Sequence, residues 1–592
     1  MPQRPEIGAL LEKGRAAFGR GDLRAAEGFL LEALGLEPRI AGARDMIARI
    51  CLRQDRPAEA EHHARQAVAL AGSQMAFHDT LIRAALRNGS GATLLAGYER
   101  TSDDGGSGEQ YGMGALLHEM GREEEALVFL RRAQGFAPDS VPVLRRVAKV
   151  LIRLDKHVEA MEPINKLMAA GQDSADLHAM AGVCLLAARD FVQAAAAFGR
   201  ALQRDEALKV ANTGLSAALL GAGRADEARL VTSRYLERFP SLTRAAQRPE
   251  AIVLVLSHLT AGCFTRHYSG DNVFAHSNTI GQIPPRRVTF HHIYMNHPDL
   301  LPIIRSLGPI DAVFNDVANA EVAARTGVGA AVRTVIDALG LPVINAPEAV
   351  ARTTREENAL RIPAWLDIVF PRTLRYSLPG GDASAIAGLI CKKLSFPLLV
   401  RRVDTHLDEH VHRADDEAGL RRALDYFTTI GAGEVYAIEY RAEPFRPAIY
   451  RKMRCVLIDG AFYPSNAVFS RNWNVHRLKD EMAFMMATPD LMEQEQVYLR
   501  DPAGYIGPEN VARLEALAQF LELDFLGVDF NVAANGELVI FEANPAMHAL
   551  QTLELGDFPY FADSCERFIA AFEDMLLRKA HEKGRRNRPA AP

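Results

Sequence analysis

Small and apolar residues recur at a fixed interval along the first part of the chain. Ala26, Ala60, Ala126, Ala160, Ala194 and Ala228 hold one place in a repeated pattern, and the steps 26 to 60, 126 to 160, 160 to 194 and 194 to 228 are each 34 residues. The gap from 60 to 126 spans about two periods, so a degenerate unit lies around Leu94. Gly14, Ala26, Ala33 and Pro38 reappear as Gly114, Ala126, Ala133 and Pro138, and Gly182, Ala194, Phe198 and Ala201 keep the same offsets. Small residues suit places where the two helices of a hairpin cross closely. Proline stops the second helix because it lacks the N–H that the helical ladder needs. About seven helix pairs are therefore predicted over residues 1–245. Such units bury their apolar faces only against neighbours, so the array winds into a superhelix with a concave surface. A Gly/Ser/Asp-rich loop from Glu99 to Gln110 interrupts it.

After Phe239-Pro240 the pattern changes to continuous apolar runs. AIVLVLSHL suits a buried parallel strand. RVTFHHIYM, DAVFND and LPVINAP are further strands, separated by helix-like stretches such as NAEVAARTGVGAAVRTVIDALG, and this alternation predicts a parallel α/β layer over residues 250–350. No G-x-G-x-x-G follows the first strand, which argues against a dinucleotide site. Asn315 and Asp316 end a strand, where such sheets place ligand contacts. His258, His267, His276, His291, His292 and His297 crowd this region, but their spacing matches no metal-ligand set and reads as loop and core polarity.

Residues 351–580 mix strands and helices. DIVFPRTLRY, FPLLVRRV and EVYAIEYR read as strands and ASAIAGLICKKL as a helix. IYRKMRCVLI and AFYPSNAVFS form a hairpin around Asp459-Gly460. ENVARLEALAQFLEL is a helix with Val511, Leu514, Leu517, Ala518 and Leu521 on one stripe. It leads into FLGVDFNVA and ELVIFEAN, which flank Asn535-Gly536. An Asn-Gly pair supplies the two positive φ values of a two-residue turn, so Ala534 is expected to face Glu537. That register sets Asp529 opposite Glu542. Asn544 falls on the same face opposite Gly527, which leaves it room. Facing carboxylates repel. A divalent cation between them removes the penalty, and Mg²⁺ prefers oxygen ligands of this kind; the bland alternative is a solvated face. A last helix is expected from Tyr560 to Lys579, then a basic, disordered tail over residues 581–592.

Composition narrows the classes. A chain of 592 residues implies roughly three to five units. With 48% apolar and 24% charged residues it should fold into globular cores, and a net charge of −6 argues against a nucleic-acid binder. The six cysteines form no C-x-x-C pair, which speaks against a zinc site and a secreted disulfide framework. No apolar run reaches membrane-spanning length and the first residues have no apolar signal core, so a cytoplasmic location is expected.

Two resemblances follow from these residues. The repeated units resemble the tetratricopeptide repeat (TPR). The hairpin, with Asp529 on its first strand and Glu-x-Asn-Pro closing the second, resembles the metal-binding end of the ATP-grasp fold, over residues from about 250 to 580. The fold class implied is multidomain: an all-α TPR superhelix over 1–245, an α/β lead-in domain over 250–350 and an α+β ATP-grasp core over 351–580. The second resemblance implies that Asp529, Glu542 and Asn544 hold the Mg²⁺ of Mg-ATP. Arg355, in the segment beginning at Asn345, would reach phosphate. Arg401 or Arg402 would stand where relatives carry a phosphate-binding lysine, keeping the charge and adding a bidentate fork. Glu439 and Tyr440 would lie on the linker against adenine, with Glu439 as readily a plain solvated strand residue. Arg454 would sit on the phosphates. Ser470, Arg471, Trp473 and His476 would border the acceptor pocket, with Trp473 equally suited to plain packing. One departure stands out: the loop from Asp404 to His410 has no glycine, where relatives usually fold glycines over the phosphates. The RimK-like branch implies an ATP-dependent carboxylate–amine ligase working through an acyl phosphate, with the array recruiting a peptide or protein. A TPR scaffold with an inactive or nucleotide-sensing core, and a small-molecule kinase, are the alternatives. ATP and Mg²⁺ are the cofactors implied, and no membrane or nucleic-acid partner is expected.

Overall fold

A computed structural model describes residues 4–100, 105–259, 268–269, 272–273, 278–317, 319–378, 383–403, 411–545, 547, 549–550 and 558–586. The chain divides into two compact units, Met1–Ala225 and Asp226–Pro592. Among the described residues no helix is long and apolar enough to cross a membrane.

The first unit is built of consecutive helix pairs, from Arg4–Gly19 with Leu23–Leu36 onward to Ala175–Ala187 with Phe191–Arg204, and then Lys209–Gly221. The six period-marking alanines are fully buried. The reason for small residues is visible at Gly114 and Gly182: an added Cβ would lie 2.7 Å from Leu130 and 2.7 Å from Phe198, respectively. The degenerate third pair is Met75–Arg87 with the short helix Gly91–Glu99, and Leu94 takes the alanine's place as a buried residue. The loop expected from Glu99 to Gln110 is shorter than its composition implies, because Ser107–Glu119 is already helical. Gly and Ser are tolerated in that first turn because Gly108 lies where any Cβ would strike the Gly72 backbone; residues 101–104 lie outside the described residues.

The helix Ala225–Arg238 continues the repeat but is grouped with the second unit, and Ser241–Arg244 is a strand rather than array. That strand pairs antiparallel with Val288–Tyr294, at the edge of a sheet whose other members, Ala251–Ser257, Ala312–Asn315 and Val343–Ile344, run parallel. The predicted long helix here is broken at Gly327 (φ 72°) into Ala320–Thr326 and Val328–Leu339. Next comes an antiparallel sheet ordered Val411–Ala414, Leu398–Arg402, Glu434–Glu439, Thr373–Ser377. Ala383–Cys391 and Glu417–Thr429 cover one face of it, packing Leu420, Leu424 and Phe427 on Leu398, Val400, Val435 and Ala437. In the third sheet Ile449–Ile458 lies between Ala461–Ser470 and Phe525–Val532, and Leu538–Asn544 follows outside. Leu514, Leu517 and Leu521 from Pro508–Leu521, with Phe568 and Phe572 from Ala562–Arg586, close the core behind it. The last helix extends to Arg586, through the first part of the expected tail.

The hairpin over Asp529 and Glu542 reaches the expected pairing by a different route. Val532 faces Leu538 and Phe530 faces Ile540, so the loop holds three residues, Ala534, Asn535 and Gly536. Only Gly536 has a positive φ, 87°. Asn535 keeps an ordinary backbone because its Oδ1 accepts a hydrogen bond from the Glu537 N–H at 3.1 Å, a local turn that Asn side chains favour. A bulge at Phe541 then shifts the ladder by one and returns Asp529 to a position opposite Glu542, with Gly527 opposite Asn544.

Candidate functional site

The antiparallel sheet and the hairpin sheet face a common cavity. Leu399, Arg401, Val411, Ile438, Glu439 and Tyr440 line it from the first, and Lys452, Asp529, Phe541 and Glu542 from the second. Arg355, Trp473, Val475 and His476 also border it. Strand alternation decides between the two adjacent arginines. Arg401 pairs with Tyr436, and Leu399 with Ile438, so these share the cavity face. Arg402 pairs with Val435 on the face buried under the helices, and so does not line the cavity.

The polar end of the cavity carries the acidic pair. Asp529 lies directly across from Arg454 on the neighbouring strand. The Arg454 Nε donates to its Oδ1 at 2.6 Å and Nη2 to its Oδ2 at 3.0 Å, while the Lys452 Nζ stands 3.2 Å from Oδ2. Burial works to raise the Asp529 pKa, and so does the nearby Glu542. The Arg454 and Lys452 charges outweigh both and hold it below the ordinary value. Glu542 is met from the other side: the Arg355 Nη2 lies 2.8 Å from its Oε2, and Arg355 Nη1 donates to the Phe541 carbonyl, freed by the bulge, at 3.0 Å. Asn544 Nδ2 donates to Glu542 Oε1 at 3.1 Å, and Asn544 borders a smaller adjoining cavity with Glu321, Arg355 and Asn358. Arg355 opens its helix, where Thr354 caps the Glu357 N–H, and its own backbone N–H donates to Glu321 Oε1 at 3.2 Å. The Tyr436 hydroxyl also donates to Glu321 Oε1, at 2.9 Å, and accepts from Arg375.

At the far end Glu439 pairs with Arg441 at 3.1 Å, and Tyr440 meets Trp473 edge-on with ring centroids 5.7 Å apart. Trp473 and His476 therefore border the cavity. Ser470 instead donates to Glu481, and Arg471 stacks on Phe484. Asn315 and Asp316 serve the fold: Asn315 donates to the Asn345 carbonyl and Asp316 accepts from Ser257. Gly527 leaves room for Met547 rather than Asn544, since a Cβ there would stand 2.3 Å from the Met547 Cβ. The loop from Asp404 to His410, together with His267 and His276, lies outside the described residues.

Three residues escaped the sequence reading. Lys452 was legible in principle, since it alternates with Arg454 and so shares its face. Glu321 and Tyr436 had no local signal, because what they touch is far away in the chain. Among the described residues no group of three or more His, Cys, Asp or Glu gathers around one point. The donor set at the hairpin is two carboxylates and an amide, which fits a hard cation that takes further oxygen atoms from its ligand, as Mg²⁺ on a nucleotide does.

The architecture is a helical-repeat array followed by an α/β unit built on three main sheets. No family model and no curated protein matches the sequence. Among solved structures the chain is similar to D-alanine–D-alanine ligase from Bacillus anthracis, at 14% identity and a TM-score of 0.34, covering 56% of this chain and 99% of that one. It is also similar to pilF from Pseudomonas aeruginosa, at 18% identity and a TM-score of 0.30, over 40% of this chain and 95% of that one. A thermophilic TPR protein from Thermus thermophilus is similar at 19% identity and a TM-score of 0.25, over 36% of this chain and 99% of that one. Likenesses this distant concern fold alone.

Proposed function

We propose that the chain is an ATP-dependent ligase that joins a carboxylate to an amine or related nucleophile, with the array recruiting the peptide or protein that supplies one reactant. The observation that carries this is the pairing of Asp529 with Glu542 at the cationic end of a cavity whose other end places Tyr440 and Trp473 beside the Glu439–Arg441 pair. Glu439 and Tyr440 would hold the base; Arg355, Arg401 and Arg454 would hold the triphosphate. Asp529, Glu542 and Asn544 would hold Mg²⁺, which would supply positive charge against the triphosphate. Arg355 and Arg454 exchange their carboxylate partners for phosphate oxygens, and both guanidinium forks suit that geometry. A substrate carboxylate oxygen bonds to the γ-phosphorus as the bond to the bridging oxygen breaks, releasing ADP. The amine then bonds to the acyl carbon and inorganic phosphate leaves. The protein positions reactants and balances charge, as phosphoryl transfer requires.

Calorimetric titration with Mg-ATP tests the reading. Wild type should bind, and Asp529→Asn and Glu542→Gln, checked for an unchanged far-ultraviolet spectrum, should bind at least about tenfold more weakly. A product lighter by one water than its two reactants, formed with ADP and phosphate, marks a ligase; a substrate gaining one phosphoryl group marks a kinase. Absence of Mg-ATP binding by the wild type would leave the scaffold.

A further inference from the structure

The first unit carries a groove whose described lining holds more positive than negative charge. It measures about 640 Å³, within the range of about 300–1,000 Å³ usual for ligand sites, and is lined by Phe18, Leu52 and Ala76 together with Arg49, Arg53, Arg83, Arg87, Asp79 and Thr80. These residues come from Arg4–Gly19, Ala41–Arg53 and Met75–Arg87, the first helices of three consecutive pairs. The second of these packs directly on the third.

The charges divide unevenly. Arg49 is matched by Asp45 beneath it, at 2.8 Å. Asp79 is occupied from outside the groove, by the Arg146 Nη2 at 2.8 Å and the Tyr111 hydroxyl at 2.9 Å. Among the described residues Arg87 donates to the Leu52 carbonyl, at 2.9 Å, and to no carboxylate. Arg53 lies over the Phe18 ring, 4.2 Å from its centroid. Arg83 acts on Asp45 through space alone, more weakly than Arg49 does. Arg53 and Arg83 make no hydrogen bond or ion pair with a described residue, and both are exposed. Three guanidinium groups thus share one groove without a hydrogen bond or ion pair to any described carboxylate.

Helix stability does not account for this. Arg53 and Arg87 end their helices, where a cation suits the helix dipole. Arg83, a turn earlier, gains little there: Asp79, four residues before it, is engaged by Arg146 and Tyr111, and Arg87, four residues after it, is a like charge at a spacing that destabilises a helix. An anionic ligand removes that repulsion, and guanidinium forks recognise carboxylates with two hydrogen bonds each. The floor of Phe18, Leu52 and Ala76 adds a place for an apolar side chain. Nucleic acid suits the groove less well. The chain's net charge is −6, and the Phe18 ring is already covered by Arg53, so it offers no open face for a base.

Resting on the reading of the array as a recruiter, we propose that this groove binds an acidic peptide segment, its carboxylates on Arg53, Arg83 and Arg87 and an apolar side chain over Phe18 and Leu52. The test is fluorescence anisotropy on the full chain with a short fluorescein-labelled peptide of Glu, Ser and Leu, and with its counterpart carrying Gln for every Glu. The acidic peptide should bind and the Gln peptide should not, and binding should weaken as salt is added. Arg83→Gln, which removes no hydrogen bond or ion pair with a described residue, should weaken binding about tenfold, and Arg83→Gln with Arg87→Gln further still. Equal binding of the Gln peptide, wild-type affinity in Arg83→Gln, failure of the acidic peptide to bind, or tighter binding of a labelled single-stranded DNA would each overturn the proposal. Mg-ATP titration of wild type and Asp529→Asn, with the peptide titration repeated on each, separates the two readings. If the peptide fails while Mg-ATP still requires Asp529, only the acidic-peptide groove falls; if Asp529→Asn binds Mg-ATP normally while the peptide binds, only the ligase falls.

Discussion

Asp529 is 3% exposed yet held ionised, because Arg454 and Lys452 together outweigh its burial. Removing one partner leaves a buried charge short of compensation. Arg454→Met is expected to destabilise the second unit by roughly 3 kcal/mol, read as a lower urea midpoint, with part of the loss restored by Mg²⁺ and ATP. His292 presents the opposite case. It is buried, and burial first, then Arg244 and His291, push its pKa down to about 3 from 6.5. A depressed folded-state value means the ring is neutral in the fold and takes up its proton more readily when unfolded. Its contribution is therefore fully present above about pH 6.5 and is lost as pH falls toward 3, at up to about 1.4 kcal/mol per pH unit. Melting temperatures measured between about pH 7 and 5 should fall less steeply in His292→Leu than in wild type.

The hairpin shows how far local pattern carries. Alternation and the Asn535-Gly536 pair place two strands and a turn, and they identify which residues face each other around Asp529. Turn length and bulge were not legible. Whether Asn535 adopts a positive φ depends on its own side-chain hydrogen bond to Glu537, and the bulge at Phe541 is anchored by Arg355, far away in the chain. The role of Gly527 was likewise hidden, since Met547 returns over it only after the chain leaves the sheet. Gly527→Ala is expected to cost about 1–3 kcal/mol by overpacking against Met547, measured by chemical denaturation, and to weaken Mg-ATP binding by displacing the segment that carries Asn544. The Asp459-Gly460 turn, by contrast, matches its expectation: both residues have positive φ, 52° and 79°, and Ile458 faces Ala461.

The two compact units part at Ala225 and Asp226, earlier than the change in hydrophobic pattern, because the last repeat-like helix and the strand Ser241–Arg244 are grouped with the second unit. A fragment of residues 1–225 is expected to unfold cooperatively with a helical circular-dichroism spectrum, and one of residues 226–592 to retain Mg-ATP binding. Loss of cooperativity in the first, or of binding in the second, would show that the units depend on each other. Periodicity was enough to establish the repeat, the strand–helix alternation and the acidic hairpin, since each rests on spacing within a short window and on burial of one face. The rest required residues distant in sequence to meet. Arg401 rather than Arg402 faces the cavity because its strand is covered by helices on the other side. Glu321, Lys452 and Tyr436 join the cluster because the helix Ala320–Thr326 and strands of two separate sheets converge there. The unbalanced arginines of the first unit become one groove only when the first helices of successive pairs stack.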